Sequence, residues 1–109
     1  MQYKITVKIL VLNNNFLGMV RQWQQLFHGK RYSFTEMDNP DFVKIAEAYK
    51  IPAAKVTDQK DLKSALNKML TSTTSYFLEV VVEKEDNVFP MVPAGAGVAE
   101  VILELPRDK

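Results

Sequence analysis

The 109-residue chain contains no cysteine, one histidine, one tryptophan, four glycines and no real excess of either charge. Each shortage excludes something. Without cysteine there are no disulfides and no thiolate metal sites, a composition compatible with a reducing compartment. Fourteen basic residues face thirteen acidic ones, a net charge of +1. That lacks the basic surplus of a nucleic-acid partner. No apolar run approaches the roughly 20 residues that span a bilayer. The N-terminus MQYKITVKILVL has the pattern of a strand rather than a signal peptide. The expectation is a soluble, cytoplasmic chain with neither nucleic acid nor membrane as partner. What is present, 47% hydrophobic and 25% charged residues, is globular composition and argues against disorder.

The elements follow from periodicity. YKITVKILVL (3–12) is rich in β-branched residues and ends in a solid apolar run, the mark of a strand covered on both faces and central in its sheet. Residues 17–27 follow helical spacing through Val20, Trp23 and Phe27, and His28 and Gly29 close that helix. His28 reads as a residue meeting the dipole at the helix end rather than as a base. In the second helix Asn39 is the expected cap, Pro40 the first helical residue, and Phe42, Ile45, Ala46 and Tyr49 the apolar stripe. Pro52 ends it, and a short strand is expected over 53–56. Asp58 caps a third helix with the stripe Leu62, Ala65, Leu66 and Met69, whose Lys63 and Lys68 belong to a solvated face. YFLEVVV (76–82) is a second strand of the buried kind. The tail carries VFPMVPAGAGV and then an amphipathic segment, 99–105. Strands alternating with helices predict an α/β fold: a partial parallel sheet of about three strands flanked by helices.

Three consecutive asparagines, Asn13 to Asn15, stand where the first strand gives way to a helix. In open α/β sheets ligands bind outside the carboxyl ends of the strands. Amide oxygens there suit a hard cation such as Mg²⁺, and a helix N-terminus suits the phosphates that accompany it. A turn with an N-cap is the plainer reading of the same letters.

The surrounding residues add a resemblance. NNNFLGMVRQWQQLF, GKRYSFTEMDNPDFVKIAEAY and VFPMVPAGAGV together resemble the C-terminal part of the thiamine diphosphate-binding domain of the acetolactate synthase (acetohydroxyacid synthase) family, catalytic subunit. RQWQ and PMVPAGAG favour this family over other thiamine-dependent decarboxylases and oxidases. The resemblance implies an enzyme that uses thiamine diphosphate and Mg²⁺ to decarboxylate pyruvate and join the fragment to a second 2-keto acid, in branched-chain amino-acid biosynthesis. It implies Asn14 as a metal ligand through its side-chain oxygen and Phe16 through its backbone carbonyl. Gly18 and Met19 would neighbour the cofactor, and Val20 and Trp23 would line the substrate channel. Residues 1–83 would belong to the cofactor-binding domain and 84–109 to a C-terminal arm. In that arm Met91 and Val92 would pack, and Gly95 and Gly97 would bend, as a lid.

Other readings stand beside these. Trp23 and Met19 at helical spacing fit a core as well as a channel, Gly95 to Gly97 fit a plain connector, and Arg21 fits a pairing with a helix neighbour. The resemblance also implies partners: the remainder of the catalytic subunit, further copies of it, and a regulatory small subunit. FAD, where the parent enzyme holds it, would bind outside this chain. The family's metal carboxylate lies in a Gly-Asp-Gly motif absent from these 109 residues, and the glutamate that activates the cofactor lies in another domain. The chain alone is therefore expected to be inactive, to self-associate or fray at its first strand, and to have Met1 either as an internal residue of a longer chain or as a start added for expression. A free-standing diphosphate-binding module, or a docking module without catalysis, is the alternative.

Overall fold

The computed structural model describes residues 5–105. They form β1 (Lys8–Asn13), α1 (Gly18–Phe27), α2 (Phe42–Ala48), β2 (Ala53–Val56), α3 (Gln59–Thr71), β3 (Tyr76–Val81) and a 3-10 turn, Val98–Glu100. These belong to two compact units, neither continuous in sequence. The first runs to Asn15 and resumes over Asp38–Glu83; the second takes Phe16–Met37 and continues from Lys84.

The first unit is a three-stranded, wholly parallel sheet in the order β1-β3-β2. In β3 the side chains alternate: Tyr76, Leu78 and Val80 project to one face, Phe77 and Glu79 to the other. The first set joins Val56 and Met69 in the core, against which Leu62, Ala65 and Leu66 of α3 pack. The i, i+3, i+4, i+7 stripe of α3 is thus the face that meets the sheet. Leu78 has no exposed surface, and burying such a side chain is worth about 1.5–3 kcal/mol. On the other face Phe77 meets Phe42 of α2, with ring centroids 6.4 Å apart. Helices therefore cover both faces, as the alternation of elements predicts.

Three expectations for this unit need correction. β1 is an edge and β3 the middle strand. Ile9, Leu10 and Leu12 are 39%, 46% and 66% exposed, so the apolar run of β1 reflects capacity to be covered, not cover supplied within the described residues; Tyr3 and Lys4 of the expected strand lie outside them. In α2 the cap is Asp41, whose carboxylate accepts from the Lys44 backbone N–H at 3.0 Å, and Pro40 lies before the helix. Of its expected stripe only Ala46 is fully buried, and Tyr49 is three-quarters exposed. Asp58 does cap α3, accepting from the Lys60 N–H at 3.0 Å. The backbone N–H bonds from Lys44 and Lys60 are the main reason the Asp41 and Asp58 carboxyls titrate below their ordinary value of 3.8.

The second unit inverts the usual pattern. Along α1 the buried residues are Arg21 and Gln22, while Val20, Trp23 and Phe27 are exposed. The guanidinium of Arg21 faces the ring of Tyr32 at 4.4 Å and that of Phe16 at 5.2 Å. It pairs with Glu85 at 2.7 Å and donates to the Lys84 carbonyl at 3.2 Å. Its partner is therefore not a helix neighbour. The Gln22 amide accepts from the Val88 N–H at 2.7 Å and donates to the Val88 carbonyl at 2.9 Å, copying the two bonds a strand neighbour would make. Buried polar groups persist only when bonded in this way. His28 closes α1 and Gly29 adopts φ +59°, the left-handed conformation that suits glycine. In the tail, Met91 and Ile102 form an antiparallel bridge. The segment 99–105 is not a helix beyond the 3-10 turn, and residues 106–109 lie outside the described ones.

Candidate cofactor and metal site

The asparagine triplet begins at the last residue of β1, the carboxyl end of a parallel strand. Asn13 is buried, and its Nδ2 donates to Glu79 Oε1 at 2.7 Å. Its Oδ1 accepts from the Asn15 backbone N–H at 2.9 Å and from Asn39 Nδ2 at 3.1 Å. Asn39 also donates to Asn15 Oδ1 at 3.2 Å. Asn15 sits at φ +58°, a left-handed conformation that asparagine tolerates better than most residues. The turn half of the plainer reading is therefore correct for Asn13 and Asn15, but its N-cap half is not: α1 is preceded by Leu17, with no side chain capping it. Asn14 lies half-buried between them.

In the second unit, Phe16 forms an antiparallel bridge with Glu36, and its ring lies under Arg21 and Lys84. Gly18 opens α1, and Met19, Val20 and Trp23 are 42%, 37% and 47% exposed. The core reading of Met19 and Trp23 thus fails within this unit. A pocket of about 390 Å³ is lined by Trp23, Phe27, His28, Met91, Val92, Pro93 and Ala94. The structure accordingly brings Trp23 together with Met91 and Val92, and adds Phe27 and His28. Val20 is not among the lining residues. Gln22 Nε2 also reaches Met91 Sδ at 3.4 Å. Gly95 adopts φ +84° with open space around it. Gly97 keeps an ordinary φ of −79°, its N–H donating to Glu100 Oε2 at 2.8 Å.

Sequence reasoning passed over Glu79 and Gln22, and read Asn39 only as a helix cap rather than as a partner of Asn13 and Asn15. Glu79 carried a signal, as a lone acid inside the apolar run YFLEVVV. Asn39 and Gln22 carried none, because their roles depend on partners far away in the chain.

An amide oxygen and a backbone carbonyl are hard, neutral donors of the kind Mg²⁺ accepts beside carboxylates, phosphates and water. Among the described residues no three His, Cys, Asp or Glu side chains gather to hold a metal. The residues present thus fit one part of a Mg²⁺ shell and leave its anionic part to other groups. Nor is any described helix long and apolar enough to cross a membrane.

A family model, the C-terminal TPP-binding domain of thiamine pyrophosphate enzymes, matches residues 1–80. The chain is 44% identical over 108 residues to the mitochondrial acetolactate synthase catalytic subunit of Aspergillus candidus, covering 99% of this chain and 16% of that protein. It is 44% identical over 102 residues to the mitochondrial acetolactate synthase of Schizosaccharomyces pombe, covering 94% and 15%. It is likewise 44% identical over 103 residues to the acetolactate synthase isozyme 2 large subunit of Escherichia coli, covering 94% and 19%. The chain thus spans less than a fifth of the length of these curated relatives.

Proposed function

The chain belongs to the thiamine pyrophosphate enzyme family, in its C-terminal TPP-binding domain, and from that premise we propose that it is part of an acetolactate synthase catalytic subunit. The observation that carries the proposal is the 44% identity to such subunits along almost the whole chain. The reaction proposed for the parent enzyme is decarboxylation of pyruvate and transfer of the remaining fragment to a second 2-keto acid, in branched-chain amino-acid biosynthesis.

Thiamine diphosphate, when bound, supplies the carbanion chemistry that no side chain provides. The contribution of this chain's residues is binding and orientation. The Asn14 side-chain oxygen and the Phe16 carbonyl are proposed as two neutral ligands of Mg²⁺, with Gly18 and Met19 beside the cofactor. Val20 and Trp23 are proposed to line the substrate channel. Residues 84–109 are proposed as an arm in which Met91 and Val92 cover the site and Gly95 and Gly97 permit bending. The pocket shared by Trp23, Met91 and Val92 supports that grouping, because apolar walls exclude the water that competes with carbon–carbon bond formation. The remainder of the catalytic subunit, further copies of it and a regulatory small subunit are the proposed partners, with any FAD bound outside this chain. A cytoplasmic location belongs to the same proposal. The relatives named mitochondrial make an organelle its rival.

The test is acetolactate formation from pyruvate by the catalytic subunit that contains this segment. Activity is expected to require thiamine diphosphate and Mg²⁺. Asn14→Ala should raise the Mg²⁺ requirement by more than the about 10- to 100-fold that loss of a mere outer partner causes. The 109-residue chain alone should form no acetolactate. Activity unchanged by Asn14→Ala would remove this residue from the metal site, and acetolactate made by the isolated chain would overturn the need for other domains.

A further inference from the structure

Glu79 presents a physical problem. It is 2% exposed in the middle strand of the sheet, where a carboxylate is costly to desolvate. An apolar residue of similar volume at such a place is often neutral or stabilising. Fold stability therefore does not account for it. Its bonds supply another account. One oxygen is approached by Lys55 Nζ at 3.3 Å and accepts from Asn13 Nδ2 at 2.7 Å. A carboxylate only accepts, so it dictates which way round the Asn13 amide sits. The Asn13 oxygen must then point away, toward the Asn15 N–H and the Asn39 amide, where both bonds are found. Asn39 closes the loop by donating also to Asn15 Oδ1. A polar relay thus runs from Lys55 through Glu79 to Asn13 and on to Asn15, the two residues that bracket Asn14. It also holds Asn15 at φ +58°, a left-handed conformation.

We infer that Glu79 and Asn13 are positioning residues, which fix the backbone on either side of Asn14 so that its side-chain oxygen meets a divalent cation without further ordering. This rests on the reading of Asn14 as a metal ligand. Outer partners that orient a ligand in this way are worth about 10- to 100-fold in metal affinity. The inference also explains the run of three amides. Asn13 anchors, Asn15 turns, and Asn14 is presented.

The test uses Mn²⁺ as the probe, read by its electron paramagnetic resonance in the catalytic subunit that contains this segment, with thiamine diphosphate present and without turnover. Asn13→Asp sets two carboxylates face to face and should weaken Mn²⁺ binding by about 10- to 100-fold. Adding Glu79→Gln to it reverses donor and acceptor across the same bond, and should return the affinity to within about threefold of the wild type. Asn39→Ala removes the loop's second tie without placing a charge in the sheet, and should weaken Mn²⁺ about fivefold to tenfold while the protein stays folded.

If the wild type binds Mn²⁺ and the folded Asn39→Ala and Asn13→Asp proteins bind it equally well, the positioning role is wrong and the reading of Asn14 stands. Recovery of the unfolding midpoint in the double variant without recovery of Mn²⁺ affinity also overturns it, since that marks a structural pair alone. Should Asn13→Asp fail to fold, Asn39→Ala decides by the same measurement. No Mn²⁺ binding by the wild type sinks the metal reading itself and this inference with it.

Discussion

The two units solve the same problem by opposite means. In the first, apolar side chains go inside: Leu78, Val80, Tyr76, Val56 and Met69 form one cluster, and the stripe of α3 closes it. In the second, the helix buries Arg21 and Gln22 and leaves Val20, Trp23 and Phe27 half outside. Hydrophobic burial is non-directional and tolerates many arrangements. A bonded amide or guanidinium is directional and fixes one register, because any slip leaves its partners unpaired. The first unit is therefore built to be stable, and the second to hold the segment from Lys84 to Met91 in one place.

The largest effect should come from the first unit. Leu78→Ala removes a core side chain with no exposed surface and should cost about 2–5 kcal/mol in urea unfolding. A cost below about 1 kcal/mol would mean that this sheet is not the stable part. Next comes Gln22→Leu, which keeps the volume but strips both bonds from Val88. The Val88 amide should then exchange with solvent roughly thirtyfold faster, equivalent to about 2 kcal/mol. The amides of β3 should keep their rates. Unchanged exchange at Val88 would show that apolar contacts, not the amide, hold this segment.

Two smaller effects sharpen the contrast. Phe34 is fully exposed at φ +52°, a conformation in which a bulky residue is strained. Phe34→Asn should raise the stability of its segment by about 0.5–1 kcal/mol, read as slower proteolysis there. Destabilisation would mean that the ring has a use not seen in this structure. The smallest concerns acid. Asp41 and Asp58 titrate below 3.8 in the folded chain, chiefly because backbone N–H groups bond their charged forms. Their contribution is present above the unfolded carboxyl pKa, about 3.9, and disappears as pH falls through the lower folded values. Helical circular dichroism should weaken over that window. Asp58→Asn, which keeps a capping oxygen without the proton, should flatten the part due to α3.

Legibility followed the same division. The boundaries of β2, the Asp58 cap and the stripe of α3 could all be read from the sequence, because each depends on residues within one turn or one strand. The cap of α2 was misplaced by two residues, since Asn39 suits a cap equally well and only its bonds to Asn13 and Asn15 divert it. In α1 the helix was legible and its inner face was not. Spacing identifies which residues share a face but says nothing of what that face meets. Trp23, Met91 and Val92 were each singled out by the family resemblance, yet their common pocket depends on how the chain returns after Lys84.

The sequence by itself determined a parallel α/β arrangement of short elements, with three amides at the mouth of a strand. Local propensity and periodicity are properties of neighbours along the chain. Only the tertiary structure decided that β3 is the middle strand, that Arg21 and Gln22 are inside, and that Asn13 answers to Glu79 across 66 residues. Each of those depends on a hydrogen bond or ion pair whose two halves lie far apart in sequence. A polar atom announces that it needs a partner, but only the fold supplies one.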